Sequence, residues 1–255
     1  MKEEPLIQDE GIAKTWHSLL YACSRVQEKM IRELLDLKYD LERNTGHACI
    51  RSVASRLKSM ESIEEKLQRL HLENSPESAK ENLHDIIGLR LVCSYLSDIE
   101  IVLCSIGKNP HFQIVQVKDY ISKPKSSGYR SMHVIVQTDY MGEKLRCEIQ
   151  LRTTAMDGWA ALEHQLRYKK GLHAAASVHE ELHEISDMLF ETDCRMQKVY
   201  TELADQKRKD LEKQSRKTAS SLARTLPACT VCTSGLQDAG STAEKEQNAF
   251  VSAPL

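Results

Sequence analysis

From Ile12 to about Leu41 the apolar residues Trp16, Leu19, Leu20, Cys23, Val26, Met30, Leu34 and Leu37 recur at steps of three and four. That spacing predicts an amphipathic helix with one face on a core. After the polar RNTGH the pattern changes, and Cys49 to Lys58 reads as a short strand. Ser62-Ile63-Glu64-Glu65 has the spacing of a capping box and predicts a helix from there through Leu70. HLENSPESAKEN reads as a polar connection. IIGLRLVCSY, Ile86 to Tyr95, is a β-branched apolar run too short for most helices and is expected to be a buried strand, followed by a helix over Asp98 to Ile106. Phe112 to Val117, Met132 to Gln137 and Lys144 to Arg152 are further strands, the last two joined by TDYMGE with its Gly142. Helix resumes from about Thr154 to Lys170, and a second helical stretch runs from Gly171 to roughly Lys217. That second stretch is so charged that a core within one chain cannot use much of it, which points to contact with another subunit. From Thr218 onward Ser, Thr, Ala and Gly dominate without period, the composition of a disordered tail.

Composition bounds what these elements can build. A chain of 255 residues with 41% hydrophobic content can bury one substantial core, or one core plus a helical appendage. A formal net charge of -2 excludes a surface that grips nucleic acid everywhere, so any phosphate binding must be local. The opening MKEEPLIQDE has no basic flank leading into an apolar run, and no stretch offers the ~18 apolar residues of a membrane span. A cytoplasmic protein with no membrane attachment is expected. The eight cysteines lack framework spacing, and the close pair Cys229 and Cys232 stands in the polar tail without a second pair to complete a zinc site. Free thiols are expected.

Candidate chemistry lies in the strands. KLRCEIQLR alternates with Leu145, Cys147, Ile149 and Leu151 on one face and Arg146, Glu148, Gln150 and Arg152 on the other. A solvated sheet face would explain that row if the strand stood alone. In HDIIGLR, however, Asp85 lies at the entry to the buried strand, and Arg90 within it wants a partner. An aspartate and a glutamate from separate strands, among lysines and arginines, suit a divalent metal and a polyphosphate whose charge must be neutralised during transfer. Basic residues are dense in SRLKS, with Lys66 and Arg69 downstream, and again at Lys118, Lys123, Lys125 and Arg130. Pro124 and Gly128 punctuate the second stretch and fix a loop before Tyr129, whose ring can stack on a base or anchor the loop to the core.

SRLKSMESIEEKLQR, HDIIGLRLVCSY, KDYISKPKSSGYRSMH and EIQLRTTAMDGWAALEHQLRYK together resemble the synthetase domain of the RelA/SpoT homologue family, specifically its small alarmone synthetases, over about Ile50 to Lys170. The resemblance implies an α+β fold, a mixed sheet of about five strands flanked by helices and related to nucleotidyltransferases, with a helical C-terminal extension. With the elements read above, the chain divides into an N-terminal helical segment over 1–46 packing on the core, the synthetase domain over 47–170, a helical extension over 171–217 expected to oligomerise and a disordered tail over 218–255. The implied activity is transfer of the β,γ-pyrophosphate of ATP to the ribose 3′-hydroxyl of GDP or GTP, with Mg2+, yielding ppGpp or pppGpp. Arg56 and Arg90 match the arginines that sandwich adenine, and Lys58, Lys66 and Arg69 match the grip on the ATP phosphates. Asp85 matches the magnesium ligand. Glu148 matches the acid that helps hold magnesium and accepts the 3′-hydroxyl proton. Tyr129 matches the ring that stacks on guanine, and Lys125, His133 and Gln150 match further substrate contacts.

The chain departs from the family pattern at Ser127, where Asn is usual, and at Met132, where Leu is usual. A serine can cap the turn, but its shorter side chain leaves the order of GDP, GTP and GMP as acceptors open. Short synthetases of this kind form tetramers, and single-stranded RNA binding follows by family analogy only. Two rival readings stand beside the synthetase. One is a metal-dependent phosphohydrolase of the HD type, suggested by His84-Asp85, although that dipeptide leads straight into a strand. The other is a catalytically weak nucleotide- or RNA-binding regulator, against which Asp85 and Glu148 both argue.

Overall fold

Thr15 caps the first helix, α1 (Trp16–Thr45), by accepting a hydrogen bond from the Ser18 amide at 3.1 Å. The helix ends at Gly46, whose φ of 72° supplies the left-handed cap. The structure, a computed structural model, describes residues 15–168 and 176–225. The expected helix start at Ile12 lies outside them. Leu19, Cys23, Val26, Met30 and Leu34 are buried along α1, so the three-and-four spacing selects the core face.

Strand β1 (Ile50–Leu57) follows, then α2 (Met60–Arg69) and α3 (Pro76–Asn82). Two expectations are corrected here. Helix α2 begins earlier than the capping-box reading placed it, because Ser59 is the cap and accepts from the Ser62 amide at 3.3 Å. The supposed polar connection contains α3, started by Ser75 accepting from the Ser78 amide at 3.2 Å and by Pro76 in the first turn, and held to the core by Ala79.

Next come β2 (Ile87–Cys93), α4 (Leu96–Lys108), β3 (Gln113–Asp119), β4 (Met132–Tyr140) and β5 (Glu143–Thr153). Strands β4 and β5 run farther than TDYMGE suggested. Their turn is only Met141 and Gly142, at φ 51° and 80°, and Tyr140 pairs directly with Glu143. Positive φ at both central residues is the turn that matches strand twist.

The five strands lie in the order β1-β2-β5-β4-β3. The β2–β5 pair is parallel and the others antiparallel, so the sheet is mixed, as expected. One face carries Leu89, Leu91, Cys147, Ile149, Leu151, Val134 and Val136, which share a buried cluster with Leu19, Val26 and Met30 of α1 and Val102 and Ile106 of α4. Each such side chain contributes about 1.5–3 kcal/mol through burial.

Helix α5 (Thr154–Tyr168) follows β5, and α6 (Ala176–Thr225) is the longest element. Packing divides the chain into two units, residues 1–204 and 205–255. In the first unit α6 is used more within the chain than its charge suggested. Trp159 Nε1 donates to the Leu182 carbonyl at 2.9 Å, Thr153 Oγ1 to Asp193, and Tyr200 stacks on Tyr95 with ring centroids 4.1 Å apart. Met188, Met196, Val199 and Leu203 remain exposed along this part of the helix. In the second unit the described side chains, 205–218, are all exposed. Helix continues through Thr225, past the expected start of the tail at Thr218. Residues 226–255, with Cys229 and Cys232, lie outside the described residues. No helix among those described is long and apolar enough to cross a membrane.

Candidate active site

The face of the sheet opposite the core is built by strand alternation. Directly paired residues share a face, so the register Ala54–Arg90–Gln150–His133–Lys118 draws one row across all five strands. A second row runs Arg56–Gly88–Glu148. The polar positions of β5, predicted from its alternation, therefore lie beside Arg90 of β2 and His133 of β4.

Glu148 sits at the centre. His133 Nδ1 lies 2.9 Å from its Oε1, and Gln150 Nε2 donates to its Oε2 at 2.7 Å. Burial pushes this carboxyl up, but the hydrogen bonds from His133 and Gln150 and the His133 charge outweigh it, so Glu148 titrates below the ordinary carboxylate range. It is an ionised, oriented carboxylate with both oxygens addressed.

Asp85, just before β2, holds the second negative charge. Lys66 Nζ reaches its Oδ1 at 2.7 Å and Lys58 Nζ its Oδ2 at 3.2 Å. Lys58 follows β1 and Lys66 stands on α2, so two elements deliver ammonium groups to one carboxylate. Burial raises the Asp85 carboxyl, but the Lys66 and Lys58 contacts overcome this and hold it low. The Asp85 charge is also felt at Glu148, which places both acids in one electrostatic site.

Arg56 and Glu148 flank Gly88, and the missing side chain lets Arg56 lie across the strand there; a Cβ would sit 3.4 Å from Arg56 Cγ and 3.6 Å from its Nε. Arg90 finds the partner its sequence context demanded in Asp157 of α5, with Nη1 3.3 Å from Oδ1. Arg69 lies exposed in the last turn of α2, three residues beyond Lys66, and is not drawn into the contacts around Asp85.

The loop between β3 and β4 closes on its own backbone. The Gly128 amide donates to the Lys125 carbonyl at 2.8 Å and the Lys125 amide to the Tyr129 carbonyl at 3.2 Å, with Ser127 inside the turn. Gly128 adopts φ +87°, and a Cβ there would meet His183 Cα at 3.0 Å, so glycine is required both by conformation and by the close approach of α6. Tyr129 is thereby fixed. Its hydroxyl lies 2.8 Å from His133 Nε2, and Lys125 Nζ sits 4.9 Å from its ring centroid and 4.7 Å from that of Tyr120. Burial lowers the Lys125 ammonium's proton affinity, partly opposed by Glu148 and reinforced by Lys118, Arg152 and Lys66.

Three residues of this face were not among those predicted. Arg152, nearly buried, donates through Nη2 to the Tyr129 hydroxyl at 2.8 Å and to Gln150 Oε1 at 2.7 Å, and through Nη1 to Asp157 Oδ1 at 3.0 Å. Its place in the polar alternation of β5 was visible, and its depth was not. Asp157 gave no signal beyond being an acid in the first turn of α5. Tyr120 packs edge-on against His133 with ring centroids 5.1 Å apart. The result is a continuous hydrogen-bonded chain from Glu148 through His133, Tyr129 and Arg152 to Asp157, which an ion pair extends to Arg90. The HD-type reading does not fit, since the Asp85 carboxylate is held by lysines at the mouth of a strand.

Comparison with known proteins bears on the family and the fold. Residues 55–173 match the family model described as the region found in RelA / SpoT proteins. The chain is 39% identical over 177 residues to the GTP pyrophosphokinase YwaC of Bacillus subtilis, covering 66% of this chain and 84% of that protein. It is 34% identical over 197 residues to the GTP pyrophosphokinase YjbM of the same organism, covering 75% of this chain and 92% of that one. Among solved structures, small alarmone synthetase 1 from Bacillus subtilis bound to its product pppGpp superposes with a TM-score of 0.68 at 30% identity, over 74% of this chain and 98% of that one. Small alarmone synthetase 2 from Bacillus subtilis gives 0.65 at 34% identity, over 73% and 99%.

Proposed function

Because the chain belongs to the RelA/SpoT family, we propose that it is a (p)ppGpp synthetase, moving the β,γ-pyrophosphate of ATP onto the 3′-hydroxyl of GDP or GTP and releasing AMP. The observation that carries the reading is Glu148, an ionised carboxylate aimed by His133 and Gln150 into a face that also holds Asp85 and five or more cationic groups.

In this reading the face divides into two halves. Arg56 and Arg90, on neighbouring strands, bracket the adenine of ATP, and Lys58, Lys66 and the outlying Arg69 take its phosphates. Tyr129 stacks on the acceptor guanine, and Lys125, Ser127, His133 and Gln150 line the acceptor around it. Glu148 accepts the 3′-hydroxyl proton as the hydroxyl oxygen attacks the β-phosphorus of ATP. The pyrophosphoryl group leaves AMP, whose departing phosphate oxygen carries the negative charge. His133 and Gln150 keep the Glu148 oxygens turned toward the hydroxyl throughout.

The ammonium groups of Lys58 and Lys66 lie against Asp85, and Asp85 and Glu148 are hard oxygen donors of the kind a divalent cation takes. They would hold Mg2+, which when bound neutralises charge on the transferred phosphates. A cytoplasmic location suits nucleotide substrates. A second copy of the chain would cover exposed Leu162, Leu166, Met188 and Met196, in line with a homotetramer. Single-stranded RNA as a further partner rests on resemblance to the family alone.

The test is incubation of the purified chain with ATP labelled in its β,γ-phosphates and either GDP or GTP, followed by chromatography. Label should appear in a guanosine tetra- or pentaphosphate with matching AMP. Binding of both nucleotides without transfer would favour the regulator instead, and label released only as free phosphate would favour a hydrolase.

A further inference from the structure

At the other end of β2 from Asp85, a bend after α1, the residue before β1 and the first turn of α4 bring His47, Cys49 and Asp98 together. The strand's rise of about 3.3 Å per residue puts this cluster roughly 25 Å from the acids of the active site. His47 Nε2 lies 2.9 Å from Asp98 Oδ1 and 3.4 Å from Cys49 Sγ, and all three donor atoms fall within 4.8 Å of one another. We propose that these three side chains form a binding site for a zinc-class divalent ion, with solvent in the fourth position, that secures α6 to the fold.

Donor chemistry, spacing and surroundings support this independently. Imidazole, thiolate and carboxylate are the ligands zinc selects, at about 2.0–2.3 Å. A tetrahedron with such bonds has edges of roughly 3.3–3.6 Å; the His47–Cys49 separation of 3.4 Å matches that edge, and the His47–Asp98 separation of 2.9 Å would open by a few tenths of an ångström to admit the ion. The one ring nitrogen Nε2 faces both the carboxylate and the sulfur. It can carry a single proton, which serves Asp98, and the Cys49 thiol has its own hydrogen-bond partner in Asp98; an ion among the three would displace that thiol proton and draw all three donors to one centre. The 3.3 Å contact of Cys49 Sγ with Thr45 Oγ1 can house a thiol proton, but it does not explain the approach to His47.

The surroundings are those of an ordered site. Asp98 is fully buried, and its other oxygen is fixed by the Tyr95 amide at 3.0 Å. Cys49 is fully buried, while His47 keeps 21% of its side chain exposed and gives access from solvent. Tyr200 of α6 places its hydroxyl 3.2 Å from His47 Nδ1, the nitrogen the ion would not use, and stacks on Tyr95. A hydrogen bond to the distal nitrogen orients a metal-binding imidazole. Here it comes from the helix that also seats Gly128 below Tyr129, through Ser186.

Co2+ serves as the probe, added to the full-length chain carrying Cys229→Ser and Cys232→Ser so that the tail pair contributes nothing. A thiolate-to-cobalt charge-transfer band should grow in and saturate at one thiolate-bound equivalent, and Zn2+ should displace it. Cys49→Ser should abolish the band, Tyr200→Phe should weaken binding about 10-fold, and Asp85→Asn should leave the band unchanged, separating this ion from any at the active site. Absence of the band, or its survival in Cys49→Ser, overturns the proposal. Should Cys49→Ser not fold, peptide mapping of alkylated protein decides: Zn2+ must shield Cys49 from the reagent, and an unshielded Cys49 equally overturns the site.

Discussion

Arg152 reaches the Tyr129 hydroxyl with Nη2 at 2.8 Å from two strand positions beyond Gln150, and its other nitrogen holds Asp157 at 3.0 Å. The same Asp157 oxygen also meets Arg90. Tyr129 is thus braced by a residue that shares its carboxylate partner with Arg90, which in the proposed synthetase links the acceptor half to the donor half. Arg152→Lys keeps charge but cannot fork between two partners. A hydrogen bond to a charged group contributes about 1.5–3 kcal/mol, so the KM for GDP should rise roughly 10- to 100-fold, with a smaller rise for ATP. Steady-state kinetics with each nucleotide varied in turn checks this; equal rises would mean that Arg152 serves the fold rather than Tyr129.

Tyr129→Ala should weaken the acceptor by about the 1–3 kcal/mol of an aromatic–base stack while ATP binding changes little. Tyr129→Phe would be mild if only the ring mattered. The hydroxyl, however, joins His133 to Arg152 and is mostly buried, so removing it should lower turnover several-fold even where guanine still stacks. Calorimetric binding and turnover on the same preparation separate the two effects. A phenylalanine variant with wild-type turnover would reduce the hydroxyl to a bystander.

The two acids should fail differently. Glu148→Gln keeps size and hydrogen bonding but cannot take a proton, so turnover should fall on the order of 10²–10⁴ with both nucleotides bound within a few-fold of wild type. Asp85→Asn should weaken MgATP binding as well as turnover, with partial recovery at high Mg2+. A Glu148→Gln enzyme retaining a tenth of its turnover would refute the proton-acceptor role.

Both carboxyls should titrate below the ordinary carboxylate range, since in each case neighbouring groups overcome the upward push of burial. The sign follows from linkage: a depressed folded value contributes stability that is fully present above the unfolded value and lost as pH falls through the folded one. Carboxyl NMR titration should place Asp85 and Glu148 low. Lys66→Met should lift Asp85, because burial then acts with less opposition. An Asp85 midpoint unmoved by that change would remove Lys66 as its counter-charge.

The strands and α1 were legible because one-sided burial imprints periods of two and of three-to-four on the chain, as in Leu145 to Leu151 and Leu19 to Leu34. Helix α3 was hidden because its seven residues bury only Ala79, so no stripe develops, and its signal was confined to Ser75 and Pro76. Ser59 went unread as a cap since Ser62 offered a matching acid at the usual spacing. For the site, resemblance supplied the residues, and the structure brings most of them to one face. Arg152 and Asp157 escaped because an arginine at the end of a polar row looks like any solvated arginine until the chain of bonds through Tyr129 is seen.

The tight turn at Met141 and Gly142 has a kinetic consequence. Strands β4 and β5 are neighbours in sequence and can zip in about 1–10 μs, which aligns His133, Glu148 and Gln150 with little loop entropy lost. Parallel pairing of β2 with β5 joins Ile87 to Cys147 across α4, β3 and β4, a long closure that makes such contacts slow. This topology predicts that the β4–β5 side assembles first during folding, with Asp85, Arg56 and Arg90 joining behind a later barrier. Gly142→Val should slow refolding, whereas Val53→Ala in β1 should chiefly speed unfolding, a contrast that stopped-flow chevrons of the two variants would resolve.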